Sequence, residues 1–425
     1  MPVCPRWMSW LLPRLRSRPV KDKVDVFVSR HLAGRLARAQ QRHSFTYGLD
    51  ATDALSLTMP LRLETYSYEQ GLHPLFQMNL PEGYLRQAIE RYAAKHFGSD
   101  DLSYLTLLGN HQIGRLRYSL ADKPLPDDTH SPLSLTELLQ GDDAELFHQL
   151  FERYALHSGV AGVQPKVLMD IRTDRSPSLT DKATLPLKKY IVKSWGAEFP
   201  ELACNEFFCL TLARSAGLTT PNFYLSDNGK LLVCERFDID AQDQPLGFED
   251  FCVLQGKTTQ QKYESSIEAC AGTIIQFVSP EYVQQALEDL FKLTLLNIII
   301  RNGDAHLKNL GVLYSGLTEY RSGQNPSATR QLAPVFDLIS TTPYIPRDSM
   351  ALTLTGSKRW PKWKVVEKFA KIHCRLNGKT IEKIVSDVEE SCKNSYSQLE
   401  QLMTAHTGFK PIGEEIGKLL QQRMM

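Results

Sequence analysis

The residue types with the clearest chemistry lie in one polar segment, NIIIRNGDAHLKNLGVLY, where an apolar helical pattern gives way to a polar run. Asp304 and Asn309 are five residues apart in it, which is the D-x-x-x-x-N spacing of a kinase catalytic loop. In that chemistry the aspartate orients an attacking hydroxyl and accepts its proton, while the asparagine binds magnesium. The same spacing also occurs by chance in ordinary polar turns, so the pair alone does not distinguish a kinase catalytic loop from such a turn.

A further acidic residue, Asp337, follows in the apolar segment LAPVFDLIS. Burying a carboxylate among apolar neighbours costs free energy unless something binds it. We therefore interpret Asp337 as the second magnesium ligand, although its neighbours Phe336 and Leu338 differ from a D-F-G sequence. A helix cap ahead of Leu338 is the alternative.

Upstream, Lys193 ends the strand-like segment YIVK, as the ATP-binding lysine of a kinase does. Glu206, on the next helical segment, is its predicted partner acid, with Glu201 as the alternative. The segment GVAGVQPK precedes them, and its glycines would let backbone N–H groups approach phosphate while Lys166 adds charge. ERF at 235–237 follows a strand pattern and is the predicted hinge that contacts adenine.

Each of these features has an ordinary structural explanation when taken alone. A lysine at a strand end is usually solvated, and His306 is more readily a structural hydrogen-bonding residue than an acid or base. The glycine segment matches neither Walker A nor G-x-G-x-x-G. The order of the features favours a kinase, because glycine loop, lysine, helix glutamate, hinge, D-x-x-x-x-N and late aspartate follow one another as they do in kinases.

Hydrophobic patterns predict the elements that would position these residues. NFYLS and KLLVCERFD predict a β-hairpin turning at 227–229, and ELACNEFFCLTLARSAGL predicts a helix that ends at Gly217. EYVQQALEDLFKLTLLNIII is the strongest helical pattern, and such patterns dominate from Phe248 onward.

The region in front of these segments has a mixed pattern. VDVFV and ALSLTM alternate as strands do, turns are predicted around Gly34 and Gly48, and PEGYLRQAIERYAAKHFG predicts a helix. We predict a basic extension, an amino-terminal α/β subdomain, a linker rich in Pro and Asp, a β-rich small lobe and a helical lobe, at 1–22, 23–120, 121–132, 133–247 and 248–425.

Composition limits the remaining classes. With 425 residues, 42% hydrophobic and 23% charged, the chain is large enough for two or three globular domains. Its net charge of +1 provides no global attraction to nucleic acid or anionic lipid. The eight cysteines form no C-x-x-C pair, which indicates reduced thiols. The apolar runs 7–12 and 293–300 are shorter than the about 20 residues of a membrane-spanning helix, so we expect a cytoplasmic protein without a membrane partner.

Six segments together resemble the successive motifs of HipA-type serine/threonine kinases, the toxins of bacterial toxin–antitoxin modules: AGVQPK, YIVK, NEFFCLTLARSAGL, CERFD, GDAHLKN and VFDLIS. AGRLA, ALSLTMPL and HPLFQMNLPEG are similar to the amino-terminal subdomain of that family. The resemblance implies an α+β, bilobal protein-kinase-like fold, with a β-rich small lobe, a helical carboxy-terminal lobe and an N-terminal α/β subdomain.

The resemblance also implies a role for each matching position. Asp304 would be the catalytic aspartate, and Asn309 and Asp337 would bind Mg²⁺. The positions implied to bind ATP are Val163, Gln164, Pro165, Lys166, Val167, Leu168, Lys193, Glu206, Glu235, Arg236, Phe237, His306, Leu307, Lys308, Asn309, Phe336 and Asp337.

Substrate and partners are implied in the same way. Toxins of the family phosphorylate a serine near the active site of an aminoacyl-tRNA synthetase and stop translation. A small helix-turn-helix antitoxin, HipB, binds them and represses the operon. The resemblance therefore implies a protein substrate of that kind, a HipB-like antitoxin, and contact with DNA only through the antitoxin.

One position departs from the family pattern. The family commonly has an autophosphorylated serine immediately before the G-V-Q motif, and this chain has Ala161 there. Ser158, three residues earlier, is the alternative acceptor for autophosphorylation, and an ordinary loop serine is the simpler interpretation. Pro165 also removes one N–H from a loop expected to donate N–H groups.

Two other functions remain open. A small-molecule phosphotransferase would share Asp304, Asn309 and Asp337, and an acidic pocket for a cationic substrate would be its sign. The sequence has no obvious acidic cluster beside the predicted catalytic loop. A non-catalytic corepressor would act only by binding its antitoxin, and the presence of every catalytic residue type argues against it.

Overall fold

The computed structural model of the chain describes residues 22–40, 42–69, 71–83, 86, 90, 100–110, 112–125, 133–140, 166–172, 187–195 and 198–421. These residues fall into two units. Unit 1 contains the chain up to Lys193 together with Asp238–Gly247 and Gly316–Ser327. Unit 2 contains Ser194–Phe237, Phe248–Ser315 and the chain from Ala328 onward.

Unit 1 is organised around an antiparallel sheet with the strand order β4-β3-β2-β1-β5. Val24 and Val26 on β1, which lies between β2 and β5, are fully buried, and the strand predicted at VDVFV is confirmed. The five strands are β1 (Lys23–Val28), β2 (His31–Ala39), β3 (Arg42–Tyr47), β4 (Tyr66–Tyr68) and β5 (Leu116–Leu120).

The predicted turn at Gly34 is wrong, because β2 runs through this residue and the turn falls at Ser29 and Arg30 instead. Gly34 is needed for close packing between strands. A Cβ at this position would lie 2.3 Å from the carbonyl oxygen of Thr46 on β3.

The strand predicted at ALSLTM is also wrong. The hydroxyl of Ser56 accepts a hydrogen bond from the backbone N–H of Thr58 at 2.9 Å, and the N–H of Met59 donates to the Ser56 carbonyl at 3.2 Å. A serine that bonds its own backbone in this way closes a turn, which competes with the extended conformation. Alternating apolar residues therefore did not produce a strand here.

Unit 1 also contains a second set of strands that includes the predicted YIVK segment. β7 and β8 are antiparallel, and Lys166 lies opposite Lys193 in their register. The strand prediction at KKYIVKSW is confirmed. The additional elements are β6 (Leu133–Ser134), β7 (Lys166–Arg172), β8 (Leu187–Lys193), α1 (Pro74–Met78), α2 (Asp101–Leu107) and α3 (Leu135–Gln140). Most of the helix predicted over PEGYLRQAIERYAAKHFG lies outside the described residues.

A partly buried histidine, His73, caps α1, and we expect it to make the stability of unit 1 depend on pH. Nδ1 of His73 accepts a hydrogen bond from the N–H of Leu75 at 3.2 Å, which requires a neutral ring, and burial lowers the His73 pKa to about 4. The unfolded chain binds a proton near pH 6.5 and the folded chain only near pH 4. We therefore expect His73 to stabilise unit 1 fully above pH 6.5, and this contribution to be lost as the pH falls towards 4.

Replacement of His73 by Asn should keep a capping side chain without the titration. The free energy of unfolding is measured by urea denaturation between pH 7 and pH 4. In wild type, His73 should make it fall by up to about 1.4 kcal/mol per pH unit, and this part of the pH dependence should be absent in His73→Asn. His31→Asn, at an exposed histidine on β2, is the control. An unchanged pH dependence in His73→Asn would contradict the assignment.

Unit 2 is mostly helical. Its helices are α4 (Leu202–Ser215), α5 (Phe251–Leu254), α6 (Ile267–Phe277), α7 (Pro280–Ile299), α8 (Trp363–Ile372), α9 (Gly378–Asn394), α10 (Tyr396–Ala405) and α11 (Lys410–Leu420). Its strands form the hairpin β9 (Phe223–Leu225) and β10 (Leu232–Glu235) and the sheet β11 (Gly247–Asp250), β12 (Gly311–Tyr314) and β13 (Arg330–Leu332).

Several sequence predictions for unit 2 are confirmed. α4 ends before Gly217, which has φ +77°, a conformation that favours glycine. The predicted hairpin turns at Gly229, and the strongest helical pattern forms α7, which begins at a Ser-Pro pair. Among the described residues, no helix is both long enough and apolar enough to cross a bilayer. The seven cysteines in the described part of the chain are all free and buried.

Candidate active site

The loop that carries Asp304 begins where α7 ends. Arg301 has φ +54°, so the chain leaves the helical path directly after α7. The side chain of Asn302 donates to Asn297 Oδ1 at 2.8 Å and accepts from the N–H of Asp304 at 3.1 Å. Asn302 therefore joins the last turn of α7 to the backbone of Asp304.

Asn309 folds back onto the same loop. Its side-chain oxygen accepts from the N–H of His306 at 3.0 Å, and its N–H donates to the His306 carbonyl at 3.0 Å. A carbonyl oxygen has two lone pairs, so this oxygen can still bind a cation. Between them Leu307 is fully buried, and Lys308 Nζ lies 3.7 Å from a carboxylate oxygen of buried Asp250.

Asp337 lies in an irregular loop after β13 and has φ +54°. No helix follows it, so the helix-cap alternative is wrong. Phe336 packs against Phe237 and Phe248, with ring centroids 5.1 Å and 6.0 Å apart. A non-glycine residue in the left-handed region costs of order 1–2 kcal/mol, so the surrounding contacts hold Asp337 in place.

The loops that carry Asp304 and Asp337 are bonded to each other. Ser340 Oγ donates to the carbonyl of Ile300 at 2.5 Å. Thr341 Oγ1 accepts from the N–H of Gly303 at 2.8 Å and lies 2.9 Å from the carbonyl of Arg301. These hydrogen bonds join Ser340 and Thr341, three and four residues after Asp337, to the start of the loop that carries Asp304. They therefore fix the two loops, and with them the two carboxylates, relative to each other.

Asn205 on α4 fixes the Asp337 loop from the other side. Its side-chain oxygen accepts from the N–H of Ser340 at 2.9 Å, and its amide donates to the Ser340 carbonyl at 2.8 Å. Asn205 and Ser340 are both fully buried. The next residue on the helix is Glu206, which is fully buried too, whereas Glu201 precedes the first turn of α4. The helix that carries the predicted partner acid is thus hydrogen-bonded directly to the loop that carries Asp337.

Because Gly303 has no side chain, the carboxylate of Asp348 can pack directly against the loop that carries Asp304. A Cβ at Gly303 would lie 2.0 Å from a carboxylate oxygen of Asp348, which is itself within 2.5 Å of Thr341 Oγ1. The carbonyl of Asp348 also accepts from Nε1 of Trp360 at 3.0 Å. Any larger residue at 303 would displace this carboxylate.

Burial and nearby charges set the protonation states in the loop. Burial raises the pKa of Asp304, and Asp337 and Asp348 raise it further, while the hydrogen bond from Tyr263 and the charge of Lys262 lower it. Burial lowers the pKa of His306 to about 3, so the ring is neutral near pH 7. His306 is therefore not a general acid at neutral pH.

Asn309 and Asp337 line one cavity of about 50 Å³ within unit 2, together with Asn302 and His306. The rest of the lining is mostly apolar and includes Cys270, Leu290, Leu293, Met350 and Leu352. Amide and carboxylate oxygens suit a hard cation. In the described part of the chain no three His, Cys, Asp or Glu side chains gather to hold a metal, so Mg²⁺ here would need phosphate or water oxygens as further ligands.

The remaining predicted residues lie in both units. Glu235 ends β10 and accepts from the side chain of Asn222 at 3.0 Å, and Arg236 after it is buried. Unit 1 contains Lys166, Val167 and Leu168 on β7 and the buried Lys193 on β8, whereas Val163, Gln164, Pro165 and Ser158 lie outside the described residues.

Sequence reasoning missed several residues of the site. Tyr263 donates from its hydroxyl to Asp304 Oδ1 at 2.7 Å, and neither its type nor its spacing signals this contact. Asn205 and Thr341 were missed as well. A polar residue beside Glu206 on a helix that is otherwise largely buried was the one available signal for Asn205.

Two family models match the chain. A model of the HipA-like C-terminal domain matches residues 158–396, and a model of the HipA N-terminal domain matches residues 24–119. Two proteins of Sinorhizobium fredii named as candidate kinases are similar to the chain. Y4mE is 30% identical over 68% of this chain and 69% of its own length, and Y4dM is 26% identical over 75% and 74%.

A solved structure is similar in fold. Shewanella oneidensis HipA, determined with HipB and operator DNA, is 18% identical over 94% of this chain and 96% of its own, with a TM-score of 0.63. The predicted α+β, protein-kinase-like fold class is thereby confirmed. The chain belongs to the HipA family, as both domain models show.

Proposed function

We propose that the chain is an ATP-dependent serine/threonine protein kinase and the toxin of a toxin–antitoxin module. It transfers the γ-phosphate of ATP to a protein hydroxyl, with an aminoacyl-tRNA synthetase as the acceptor and inhibition of translation as the result. The observation that carries the proposal is the hydrogen-bonded pair of loops that holds Asp304, Asn309 and Asp337 in one unit.

Asp304 accepts the proton of the attacking hydroxyl and orients its oxygen, and its half-exposed side chain is accessible to an acceptor from solvent. Asn309 and Asp337 hold Mg²⁺, which when bound neutralises charge on the phosphate oxygens. With its pKa lowered to about 3 by burial, the His306 ring is a weak proton acceptor, so Asp304 is the proposed base of this loop.

The ATP contacts follow from the family motifs. Lys193 contacts the phosphates with Glu206 as its partner acid, and residues 163–168, of which Lys166, Val167 and Leu168 lie on β7 rather than in a loop, border the phosphates. Residues 235–237 contact adenine, and 306–309 and Phe336 border the nucleotide. The packing of the Phe237 ring on Phe336 supports this assignment. It connects the proposed hinge, residues 235–237, to the loop that carries the proposed magnesium ligand Asp337.

The proposed partner is a HipB-like helix-turn-helix antitoxin, through which the chain contacts operator DNA indirectly. Support comes from the similar Shewanella oneidensis HipA, whose structure contains HipB and operator DNA. A net charge of +1 is consistent with contact through a partner, because it provides no strong attraction to DNA.

Two alternatives make different predictions. A small-molecule phosphotransferase would need an acidic pocket for a cationic substrate, and the described lining of the cavity has one carboxylate, Asp337. A non-catalytic corepressor would bind the antitoxin without turning over ATP. That function would not require the hydrogen-bonded loops that hold Asp304 and Asp337.

The test is phosphoproteomics after induced expression of wild type and of Asp337→Ala. Wild type should add phosphate to serine or threonine of a small set of proteins and slow growth, and Asp337→Ala should do neither at equal protein level. Absence of any newly phosphorylated serine or threonine with wild type would exclude a protein kinase. Phosphorylation of a small molecule alone by purified protein would support the phosphotransferase.

A further inference from the structure

Tyr263 makes a direct contact with the proposed catalytic carboxylate. It lies between a 3₁₀ turn, Thr259–Gln261, and α6, and its hydroxyl donates to Asp304 Oδ1 at 2.7 Å. The Tyr263 ring packs edge-on against His306, with centroids 5.2 Å apart. The contact joins residues that are 41 positions apart in the sequence.

The backbone around Tyr263 is fastened to the same loop. The carbonyl of Lys262 accepts from the N–H of Leu307 at 3.2 Å. The carbonyl of Tyr263 accepts from Lys358 Nζ at 3.2 Å, and the next residue but one, Ser265, accepts from the N–H of Thr353 at 3.1 Å. The phenol is thus held at a fixed place relative to Asp304, whereas a surface tyrosine without such contacts would change rotamer.

His306 does not supply a comparable contact. Its Nε2 lies 4.0 Å from Asp304 Oδ1, which is beyond hydrogen-bond distance. The side chain of Asp304 is half exposed, so without Tyr263 its carboxylate would rotate more freely. A general base must be aligned with the proton that it receives.

We propose that Tyr263 is a positioning residue, which holds Oδ1 of Asp304 and so presents Oδ2 to the acceptor hydroxyl. The inference rests on the proposed function and adds a residue to it. During transfer the acceptor O–H bond breaks, its proton passes to Asp304, and the acceptor oxygen bonds to the γ-phosphorus as the bond to ADP breaks. Tyr263 exchanges no proton in this step.

The test compares Tyr263→Phe with wild type in ATP turnover by the purified full chain in the presence of Mg²⁺ and an acceptor protein identified by phosphoproteomics. A poorly aligned base costs up to about 10²-fold, so kcat should fall about 10- to 50-fold while KM for ATP stays within twofold. Removing a contact to Asp304 does not touch the nucleotide. The melting temperature should change little, because Phe keeps the ring.

Tyr282 provides the matched control. It is 37% exposed, as Tyr263 is, and lies in the first turn of α7. Tyr282→Phe should leave kcat and KM unchanged. An unaltered kcat in Tyr263→Phe, or a loss confined to KM for ATP, would overturn the positioning role and leave the kinase intact. Absence of turnover by wild type would instead overturn the proposed function, and the positioning role with it.

Discussion

Replacement of Asp304 by Asn is expected to lower kcat for phosphate transfer by at least about 10²-fold, because an amide cannot accept the proton of the attacking hydroxyl. The change is nearly isosteric, and Oδ1 remains available to Tyr263. Folding should therefore be preserved, and KM for ATP should change little. Initial rates of ADP formation with an acceptor protein, together with the melting temperature, measure both expectations.

Asp387 on α9 offers the matched control. Its side chain is 40% exposed against 49% for Asp304, and it pairs with Lys383 one helical turn away. Asp387→Asn should leave kcat unchanged and cost well under about 1 kcal/mol of stability, since exposed ion pairs contribute little. If Asp304→Asn and wild type turned over ATP equally, Asp304 would not be the base.

The second large effect concerns stability. Asn205→Leu preserves most of the side-chain volume, but leaves the buried N–H and carbonyl of Ser340 without their amide partner. Each such group costs about 1–3 kcal/mol, so we expect unit 2 to lose roughly 2–6 kcal/mol. At about 2–4 °C per kcal/mol, its melting temperature should fall by roughly 4–24 °C in differential scanning calorimetry.

An Asn→Leu substitution at an exposed position shows how much of the effect comes from leucine itself rather than from the lost hydrogen bonds. Asn394 is exposed at the end of α9, and Asn394→Leu should shift the melting temperature by no more than about 2 °C. Activity of Asn205→Leu should also fall at temperatures where it is folded, because the Asp337 loop loses an anchor. Equal melting temperatures for the two variants would contradict the role of Asn205.

Local patterns predicted much of unit 2. α7 has a strong 3.6-residue repeat and a Ser-Pro start, and the hairpin before Glu235 turns at a glycine with φ +71°. Both signals lie within a few residues of the structure that they specify. The prediction of Asp304, Asn309 and Asp337 as site residues used the same kind of local signal, since their spacing and order are those of kinases.

Contacts between distant residues could not be predicted in this way. Asn205 meets Ser340 across 135 positions, and Tyr263 meets Asp304 across 41. No periodicity records such pairs, because they depend on how helices and loops pack. The left-handed conformation of Asp337 is of the same kind, since the hydrogen bonds of Ser340 and Thr341 hold a backbone that the local sequence does not favour.

Unit 1 is built from segments that are far apart in the sequence, which affects when it can be completed on the ribosome. Its amino-terminal part is completed by a late segment, where Leu317 accepts from the N–H of Ala54 at 3.2 Å and Tyr320 accepts from that of Leu61 at 2.8 Å. A nascent chain therefore contains Asp304 before unit 1 has its last segment, Gly316–Ser327. Since Asp337 emerges later still, the proposed catalytic residues and the finished first unit become available at nearly the same moment of translation.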